Sequence, residues 1–378
     1  MNISKFRSGT WVEQFEYRSF FPTPVNDNWQ WDDPKIDMLL AEASYRVGEL
    51  SGLSTAVPDL ELFRPMFVLK EALASSRIEG NGTILDEAIL DDREAIDSYR
   101  RDAWEDVRNH QTAINRVFFE LEELPLSNRL LCHAHETLLA GVSGDQKTPG
   151  EFRRSQNWIG SGSLSDALFI PPHQGDLGIL TTDLEAFWHE ETMEAPDLIR
   201  LAISHYQFVV IHPFLDGNGR VGRIFIALFL AQKGLLKEPL LNVSSYFELF
   251  RDDYYDALTR VAGMSELDHW VRFFLTAVEK TAKHATHTLK AAHALRESTH
   301  AAAGTPDDRS ANSGRVIDYL FRKPIVTVEE LSDQLELERE AVGGIVEELL
   351  AKEILFETAI TGNSGFLVFK AYVALFQK

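Results

Sequence analysis

The chain has 378 residues, of which 44% are hydrophobic, and this is enough apolar material for more than one compact core. The formal net charge of −21 excludes a protein that coats nucleic acid or anionic lipid without specificity, because phosphate would meet a field of its own sign. The single cysteine, Cys132, excludes an internal disulfide and a cysteine-based metal cage, so we expect a reducing, cytoplasmic compartment.

Neither the first residues nor the most apolar stretch carries a targeting or membrane pattern. Residues 1–20 contain charges and aromatic rings but no apolar core of a signal peptide. The most apolar later stretch, residues 224–231, is far shorter than the roughly 20 residues of a membrane span. We therefore expect no signal peptide and no membrane anchor.

The N-terminal region is predicted to be irregular and then helical. Residues 1–60 mix aromatic residues with four prolines, which indicates an arm around one or two helices, the clearest over residues 34–50. A further helix begins after Pro65 and ends at Gly80, since glycine is typical of a helix C-terminus. Its apolar residues recur on one stripe, as they do in a helix that packs on a core.

The next region is predicted to be helical up to a short hairpin. Apolar residues at three- and four-residue spacing indicate helices over residues 87–123 and over residues 127–140. The first of these is long enough to be two helices with a break between them. From residue 141 to 178 the composition shifts to Gly, Ser, Pro and Asp around two short apolar runs, 157–160 and 168–171. These runs predict a surface hairpin, which we call the flap and define as residues 158–172.

A second helical region and a separate C-terminal module follow. Helical spacing predicts helices over residues 178–192, 196–211, 221–233, 246–263 and 266–303. After a polar linker, residues 304–314, the order is three helices and two strands, over residues 315–321, 328–335, 339–352, 354–359 and 365–370. Three helices followed by a hairpin around the turn at residues 361–364 predict a winged helix.

The segment that carries chemistry lies between two of these helices and reads HPFLDGNGRVGR from His212 to Arg223. Gly217 and Gly219 let successive backbone N–H groups point inward, and the N-terminus of the next helix adds positive dipole at the same place. A bare helical hairpin with a glycine turn would explain each piece alone. Together the pieces predict an anion-binding nest suited to phosphates.

The side chains of this segment fit phosphate chemistry. Arg220 and Arg223 are three residues apart, so both guanidinium groups can face one polyanion. Asp216 offers an oxygen ligand of the kind that Mg²⁺ prefers beside phosphates. His212, with an ordinary pKa of about 6.5, is suited to take a proton from an attacking hydroxyl near neutral pH.

This segment resembles the motif of the Fic family, HPFx[D/E]GNGRxxR, and every specified position matches. The resemblance implies a mainly α fold, in which a Fic helical bundle carries a small β-hairpin flap and is followed by the winged-helix α+β module. It implies an N-terminal arm over residues 1–60, a Fic domain over residues 61–303 with a trailing linker helix, and a winged-helix domain over residues 311–378. The arm rests on general similarity only.

The same resemblance implies a protein adenylyltransferase. AMP would pass from ATP to a Ser, Thr or Tyr hydroxyl of a target protein, which includes the chain itself, and pyrophosphate would leave. His212 would be the base and Asp216 would hold Mg²⁺, while Arg223 would pair with the γ-phosphate. The residues that would cradle the phosphates are Gly217, Asn218, Gly219 and Arg220.

Three further segments resemble the surroundings of that motif. In the flap, Trp158, Ile159, Phe169 and Ile170 would bind an extended target segment along a strand edge. Tyr246 and Tyr254 resemble residues that line the adenine pocket, although aromatic helix faces are more often core. The third segment resembles the inhibitory motif [S/T]xxxE[G/N] and places Ser75 and Glu79 on one face of the helix at about residues 65–80.

The inhibitory resemblance implies that Glu79 pairs with Arg223 and so occupies the arginine that the γ-phosphate needs. A carboxylate and a phosphate cannot share one guanidinium without like-charge repulsion, so ATP would bind unproductively. In the family such a glutamate also positions water to remove AMP from a modified target. The sequence leaves both roles open.

Two alternatives stay open at this stage. The first alternative is transfer of another nucleotide or of a phosphate-linked group, because the nest would recognise phosphates better than adenine. The other is a DNA-binding regulator that acts through residues 311–378. That region carries seven Lys and Arg against eleven Asp and Glu, a net charge of −4. We therefore expect it to serve protein interaction or dimerisation rather than DNA binding.

Overall fold

The computed structural model describes residues 1–141, 147–160, 162–303, 308–360 and 363–377. The chain is mainly α-helical with small antiparallel sheets, as the sequence predicts. None of the described helices is long and apolar enough to cross a membrane. In chain order the elements are β1 (Gly9–Glu13), β2 (Arg18–Pro22), α1 (Pro34–Ala56), α2 (Arg64–Ile78), α3 (Leu85–Ile89), α4 (Arg101–Glu120), α5 (Asn128–Leu138), α6 (Leu177–His189), α7 (Asp197–Ile211), α8 (Asn218–Gln232), α9 (Val243–Leu249), α10 (Arg251–Met264), α11 (Leu267–Ala303), α12 (Asp308–Arg322), β3 (Ile325–Val326), α13 (Val328–Leu335), α14 (Arg339–Ala351), β4 (Phe356–Ile360), β5 (Asn363–Val368) and α15 (Lys370–Val373).

The N-terminal arm differs from the sequence prediction. Instead of an irregular segment, β1 and β2 form an antiparallel hairpin in which Trp11 pairs with Phe20. Phe20 is buried, and its ring lies 5.3 Å from the ring of Trp11 and 5.5 Å from that of Phe169 in the flap. The hairpin forms because it packs on the flap, a contact that local spacing of aromatics and prolines does not predict.

Two predicted helices are broken. The helix expected over residues 87–123 splits into α3 and α4, with single 3₁₀ turns at Arg93–Ala95 and Ser98–Arg100 between them. The helix expected over residues 246–263 is divided at Phe250, which leaves helical conformation between α9 and α10. This second break sets the directions of the tyrosines on either side of it.

The helical core surrounds α7 and α8, most of whose residues are buried. Helix α2 lies beside α8 and carries twelve buried residues out of 15, which is far more than one stripe. Its end is set by Gly80, which has φ 94° and follows the C-cap Glu79. This placement puts the end of α2 next to the beginning of α8.

The C-terminal module, residues 308–377, has α12, α13 and α14 with a sheet in the order β3-β5-β4. Part of the predicted linker, residues 304–307, and the first half of the predicted wing turn, residues 361 and 362, lie outside the described residues. β3 was not predicted; it is a two-residue strand that pairs with β5. The winged-helix assignment stays a prediction.

The module packs directly on α2. The ring of Phe321 lies 5.6 Å from that of Phe63, just before α2, and the ring of Phe376 lies 5.2 Å from that of Phe67 within it. All four side chains are buried. The helix that carries Glu79 is thus wedged between the motif helix α8 and the C-terminal module.

Candidate active site

A tight loop, residues 212–217, joins α7 to α8. His212 takes a left-handed conformation, φ 52° and ψ 58°, which turns the chain out of α7. Its ring Nδ1 lies 3.2 Å from the carbonyl oxygen of Val209 and donates to it, so Nε2 of the neutral ring is a proton acceptor. His212 lines a cleft of about 710 Å³. Burial lowers the pKa of His212 to about 4, so the ring is neutral at physiological pH.

Arg153, just before the flap, holds this loop in place. Its guanidinium is buried and donates to the carbonyl of His212 at 2.9 Å and to that of Pro172 at 2.6 Å. The Asn157 amide donates to the carbonyl of Phe214 at 2.8 Å. A charged, two-pronged donor suits this position because it fixes the backbone of a residue in a strained conformation. Arg153 and Asn157 therefore tie the loop to the flap.

The N-terminus of α8 forms the floor of the cleft. The Asn218 side chain closes the loop with two 2.8 Å bonds, accepting from the N–H of Phe214 and donating to its carbonyl. The first backbone bond of α8 runs from the N–H of Val221 to the carbonyl of Gly217. The helix therefore does not use the amides of residues 218–220, which add to its positive end. Asn218 can offer an anion its backbone but not its side chain.

Arg223 faces away from the cleft toward α2. Its Nε donates to Ser75 Oγ at 2.7 Å, and its Nη2 donates to Glu79 Oε1, also at 2.7 Å. Arg223 is 1% exposed, and although burial opposes its charge, Glu79 raises the pKa of Arg223 above the ordinary value. Gly219 makes room for this contact, because a Cβ there would collide with Glu79 Oε1. The structure thus brings Ser75, Glu79 and Arg223 together.

Carboxylates outnumber cations among the described side chains that line the cleft. Asp216 is exposed, and one of its oxygens accepts from the N–H of Gly217 at 2.7 Å, which leaves the other oxygen available. Arg220 lies 3.5 Å from Asp106 of α4, a loose ion pair that an anion can replace. A polyanion entering here would meet repulsion unless a cation accompanied it. The charged lining residues are Glu79, Asp102, Asp106, Asp216 and Arg220.

Two family models match this chain over the segments that form the cleft. The model described as the Fic/DOC family matches residues 125–230, which hold the loop and α8. The model described as the Fic/DOC family N-terminal region matches residues 38–118, which hold α2. The chain belongs to the Fic/DOC family. Residues 212–223 are its Fic motif, and α2 lies within the N-terminal region of the family.

Curated relatives carry the same family name. Protein adenylyltransferase Fic of Drosophila willistoni is 28% identical over 246 residues, which are 64% of this chain and 46% of that protein. Protein adenylyltransferase Fic of Drosophila mojavensis is 30% identical over 208 residues, which are 54% of this chain and 38% of that protein. This chain therefore matches less than half the length of these relatives.

Solved structures share the fold. A Fic family protein from Desulfovibrio desulfuricans G20 aligns with a TM-score of 0.57 at 22% identity, over 92% of this chain and 98% of that one. Fic-1 from C. elegans aligns with a TM-score of 0.51 at 20% identity, over 67% of this chain and 74% of that one. At such identities the likeness concerns the fold alone.

The flap divides its predicted target-binding residues between two sides. Trp158 and Ile159 line the cleft of the Fic motif. Phe169 pairs with Ile159 in a single bridge, but its ring packs on the N-terminal hairpin, and the carbonyl of Ile170 accepts from the N–H of Phe20 at 2.9 Å. The prediction that Phe169 and Ile170 hold a target is therefore corrected, because β2 already occupies that edge. Among the described residues of the flap, the strand edge at residues 158–160 is not covered by β2.

The two tyrosines predicted to bind adenine do not line this cleft. Tyr254 is 1% exposed and donates its hydroxyl to His205 Nε2 at 3.1 Å, so it belongs to the core. Tyr246 lines a different cavity on the other side of α2. The break at Phe250 explains both outcomes, since it turns α9 and α10 separately. Tyr255 is the exposed tyrosine here, and burial followed by the charge of Glu79 raises the pKa of its hydroxyl.

Sequence reasoning missed three residues that shape the site. Arg153 holds the carbonyl of His212, a role that sequence reasoning did not assign to it. Asp106 is one of many acidic residues on α4, and nothing in its spacing marks it as the partner of Arg220. His135 stacks on Phe214 at 3.9 Å and lies 3.1 Å from the carbonyl of Asp216. An isolated histidine on a helix gave no signal for that contact.

Proposed function

We propose that this chain is an adenylyltransferase that transfers AMP from ATP to a hydroxyl of a protein. The observation that carries the proposal is the neutral ring of His212, whose Nε2 is a proton acceptor and which lines the same cleft as the free amides that begin α8. A base next to an anion site is the minimal arrangement for attack of a hydroxyl on a phosphate. The names of the curated relatives support the same reaction.

The reaction balances with the residues in place. The target hydroxyl oxygen attacks the α-phosphorus, and its proton passes to Nε2 of His212. The bond between the α-phosphorus and the bridging oxygen breaks, and pyrophosphate leaves with that electron pair. The amides of residues 218–220 and the guanidinium of Arg220 stabilise the charge that develops on the phosphate oxygens. Backbone along residues 158–160 is open for an extended target segment.

Mg²⁺ fits this site as a companion of the nucleotide. The described residues contain no group of three or more His, Cys, Asp or Glu arranged for a metal. Mg²⁺ usually takes only one or two protein carboxylates together with phosphates and water, and Asp216 has one oxygen available for that role. When bound, the ion would neutralise phosphate charge in a cleft rich in carboxylates.

The ion pair between Glu79 and Arg223 is proposed to restrain the reaction. Arg223 gives its Nε and Nη2 groups to α2, so a γ-phosphate has to displace Glu79 before it can pair with that arginine. The Glu79 side chain is 40% exposed, unlike that of Arg223, and it borders the cleft. This exposure and the position of Glu79 at the cleft support a second proposed role, in which Glu79 orients water for the reverse reaction that removes AMP from a modified hydroxyl.

The position of the label in ATP tests the reaction type. With Glu79→Gly protein, α-labelled ATP should label the chain or an added protein, and γ-labelled ATP should not. His212→Ala should abolish the labelling while leaving ATP affinity nearly unchanged, because this residue acts on a proton. Transfer of the γ-label would favour phosphorylation, and more efficient labelling by GTP, CTP or UTP would favour another nucleotide.

Release of Glu79 tests the restraint. Glu79→Gly should raise labelling at least about tenfold, since about 1.4 kcal/mol of coupling gives that factor. Arg223→Ala in the same protein should cancel the gain, because the freed arginine is what the γ-phosphate requires. Glu79→Gln serves as the matched variant of similar size and should give an intermediate rate. Equal rates for wild type and Glu79→Gly would contradict the restraint.

A further inference from the structure

The Fic motif contains two arginines, and each of them contacts a carboxylate from outside the motif. Arg223 Nη2 lies 2.7 Å from Oε1 of Glu79, the C-cap of α2. Arg220 Nη1 lies 3.5 Å from Asp106 Oδ1 on α4. A phosphate that is to pair with either arginine therefore has to replace a carboxylate. For Arg223 this exchange is the restraint described above, and the contact of Arg220 has the same form.

The guanidinium of Arg220 is incompletely bonded where it lies. In the part of the chain that the structure describes, its one hydrogen-bond partner is Asp106, and its Nε is buried without any partner. A guanidinium carries five N–H donors, and a buried donor without an acceptor costs free energy. Arg220 lines the cleft of the Fic motif with a side chain that is 11% exposed. An anion with several oxygens would satisfy it better than Asp106 does.

The carboxylate of Asp106 is likewise only partly stabilised by the pair. Burial raises the pKa of Asp106 above its ordinary value, and the opposing charge of Arg220 does not cancel that rise. A tightly paired aspartate would show a lowered pKa instead. The negative charges of Asp216 and Asp102 act in the same direction as burial. The contact between Asp106 and Arg220 is therefore one that phosphate oxygens can replace.

The backbone of α4 is fixed around Asp106. The carbonyl of Ala103 accepts from the side-chain amide of Asn81 at 2.7 Å, which ties α4 to the segment after α2. The indole N–H of Trp104 donates to a carbonyl of α3 at 3.0 Å. Helix α4 therefore cannot follow Arg220 when this arginine turns to a phosphate. The Asp106 carboxylate stays behind in the cleft as a charge of the same sign as the ligand.

We propose that Asp106 is a second restraining carboxylate, which holds Arg220 back from the nucleotide phosphates as Glu79 holds back Arg223. Phosphate oxygens have to replace Asp106 at the guanidinium and then lie beside its charge. The cleft therefore binds Mg·ATP more weakly than the same nest would without this carboxylate. The inference rests on the proposed function for its consequence in AMP transfer, whereas the binding of phosphates can be measured without any transfer.

Inorganic tripolyphosphate with Mg²⁺ is a suitable probe, because it carries the phosphates of ATP and cannot transfer AMP. Asp106→Asn keeps the size of the side chain and removes its charge. Calorimetric titration of the full chain should show about threefold tighter binding in this variant, a factor within the range of a partly exposed ion pair. Unchanged or weaker binding would overturn the proposal, since a carboxylate that orients Arg220 or binds the cation gives a loss.

A matched variant and a double variant separate the ion pair from the general field of the cleft. Asp102 lines the same cleft one turn earlier on α4 and is exposed, so Asp102→Asn should tighten binding less than Asp106→Asn does. In Arg220→Ala protein, Asp106→Asn should gain no more than Asp102→Asn, because no guanidinium is left to release. Equal gains from both aspartates, or a full gain without Arg220, would refute a restraint on this arginine.

The transfer assay gives a second readout. Added to Glu79→Gly protein, Asp106→Asn should lower KM for ATP about threefold and leave kcat nearly unchanged, because the carboxylate acts on binding and not on the chemical step. A fall in kcat would show that Asp106 supports the transition state and would contradict the proposal. An absence of AMP transfer in every variant would contradict the proposed function, while the tripolyphosphate titration still decides on Asp106.

Discussion

At the scale of single residues, the site depends on backbone that is held in place by side chains far away in sequence. His212 has a positive φ, which a non-glycine residue adopts at a cost of order 1 kcal/mol or more. The carbonyl of His212 accepts from Arg153, and the carbonyl of Phe214 from Asn157. The loop keeps its shape because these donors are fixed by the rest of the fold.

Arg153 is expected to be a positioning residue. Arg153→Lys should lower kcat about tenfold or more with little change in KM for ATP, because a lysine cannot reproduce the paired donation to the carbonyls of His212 and Pro172. The neighbour Arg154 is exposed and pairs with Glu151, so Arg154→Lys is the matched control. A rise in KM for ATP with kcat unchanged, or an equal loss of kcat in both variants, would show that Arg153 does not act through His212. Thermal unfolding of both variants separates a loss of fold from a loss of rate.

The pH dependence of the reaction should reflect the low pKa of His212. The base must be unprotonated, and burial lowers its pKa to about 4, so kcat/KM for ATP should stay level from neutral pH down to about 5. Below that value protonation removes the acceptor and the rate should fall. The measurement is best made on Glu79→Gly, with unfolding followed over the same range. An acid limb centred near about 6.5, the value of an unperturbed histidine, would refute this account of the site.

At the scale of elements, the N-terminal hairpin acts as a support for the flap. The N–H of Phe20 donates to Ile170, and the hydroxyl of Tyr17 donates to the Gln156 side chain at 3.3 Å. In the part of the flap that the structure describes, the bridge between Ile159 and Phe169 is the only strand pairing, so this part has little sheet structure of its own. The hairpin therefore contributes much of what holds the flap beside the cleft.

Removing the ring of Phe20 should loosen the flap. Phe20→Ala should increase amide hydrogen exchange at Ile159 and Phe169 at least about tenfold and raise KM for a protein target more than KM for ATP. Phe15, fully exposed at the hairpin tip, provides the matched variant Phe15→Ala, whose exchange at these amides should equal that of wild type. Unchanged protection in Phe20→Ala would mean that the flap stands without the hairpin.

At the scale of the whole molecule, we expect the C-terminal module and the helical core to unfold together. Their buried rings meet across α2, where Phe376 packs on Phe67 and Phe321 packs on Phe63. Phe376→Ala should lower the free energy of unfolding by about 3 kcal/mol in a single transition, with Gln377→Ala as the control. Two separated calorimetric transitions in wild type would contradict this coupling. Truncation at residue 303 would uncover Phe63 and Phe67, so point variants are the cleaner test of the module.

The same module is expected not to bind DNA. Residues 311–378 carry a net charge of −4, and on α14 Glu340, Glu347 and Glu348 are exposed. Lys323 is engaged with Glu330 at 2.6 Å, which leaves few cations for a phosphate track. Titration with duplex DNA over a range of salt concentrations should give weak affinity and a shallow slope. Nanomolar binding with a steep salt dependence would favour a regulator instead.

The sequence by itself determined the features that depend on neighbours in the chain. Residues 212–223 alone predicted the anion-binding nest and its arginines, because a glycine turn before a helix N-terminus is formed by residues that are neighbours in the sequence. The four-residue spacing of Ser75 and Glu79 and the stop at Gly80 placed both residues on one helical face. The expected pairing of Glu79 with Arg223 came from the family resemblance, and the structure contains that contact.

Only the tertiary structure decided which groups meet across long stretches of chain. The bond from Phe20 to Ile170 closes one flap edge, and Phe376, which packs on Phe67, lines the same cavity as Tyr246. Tyr254 looked like an adenine contact until the break at Phe250 turned it into the core. Such outcomes depend on how whole surfaces are buried against each other. From the sequence, many aromatic side chains are equally good candidates for each buried position, and only the folded structure shows which of them occupies it.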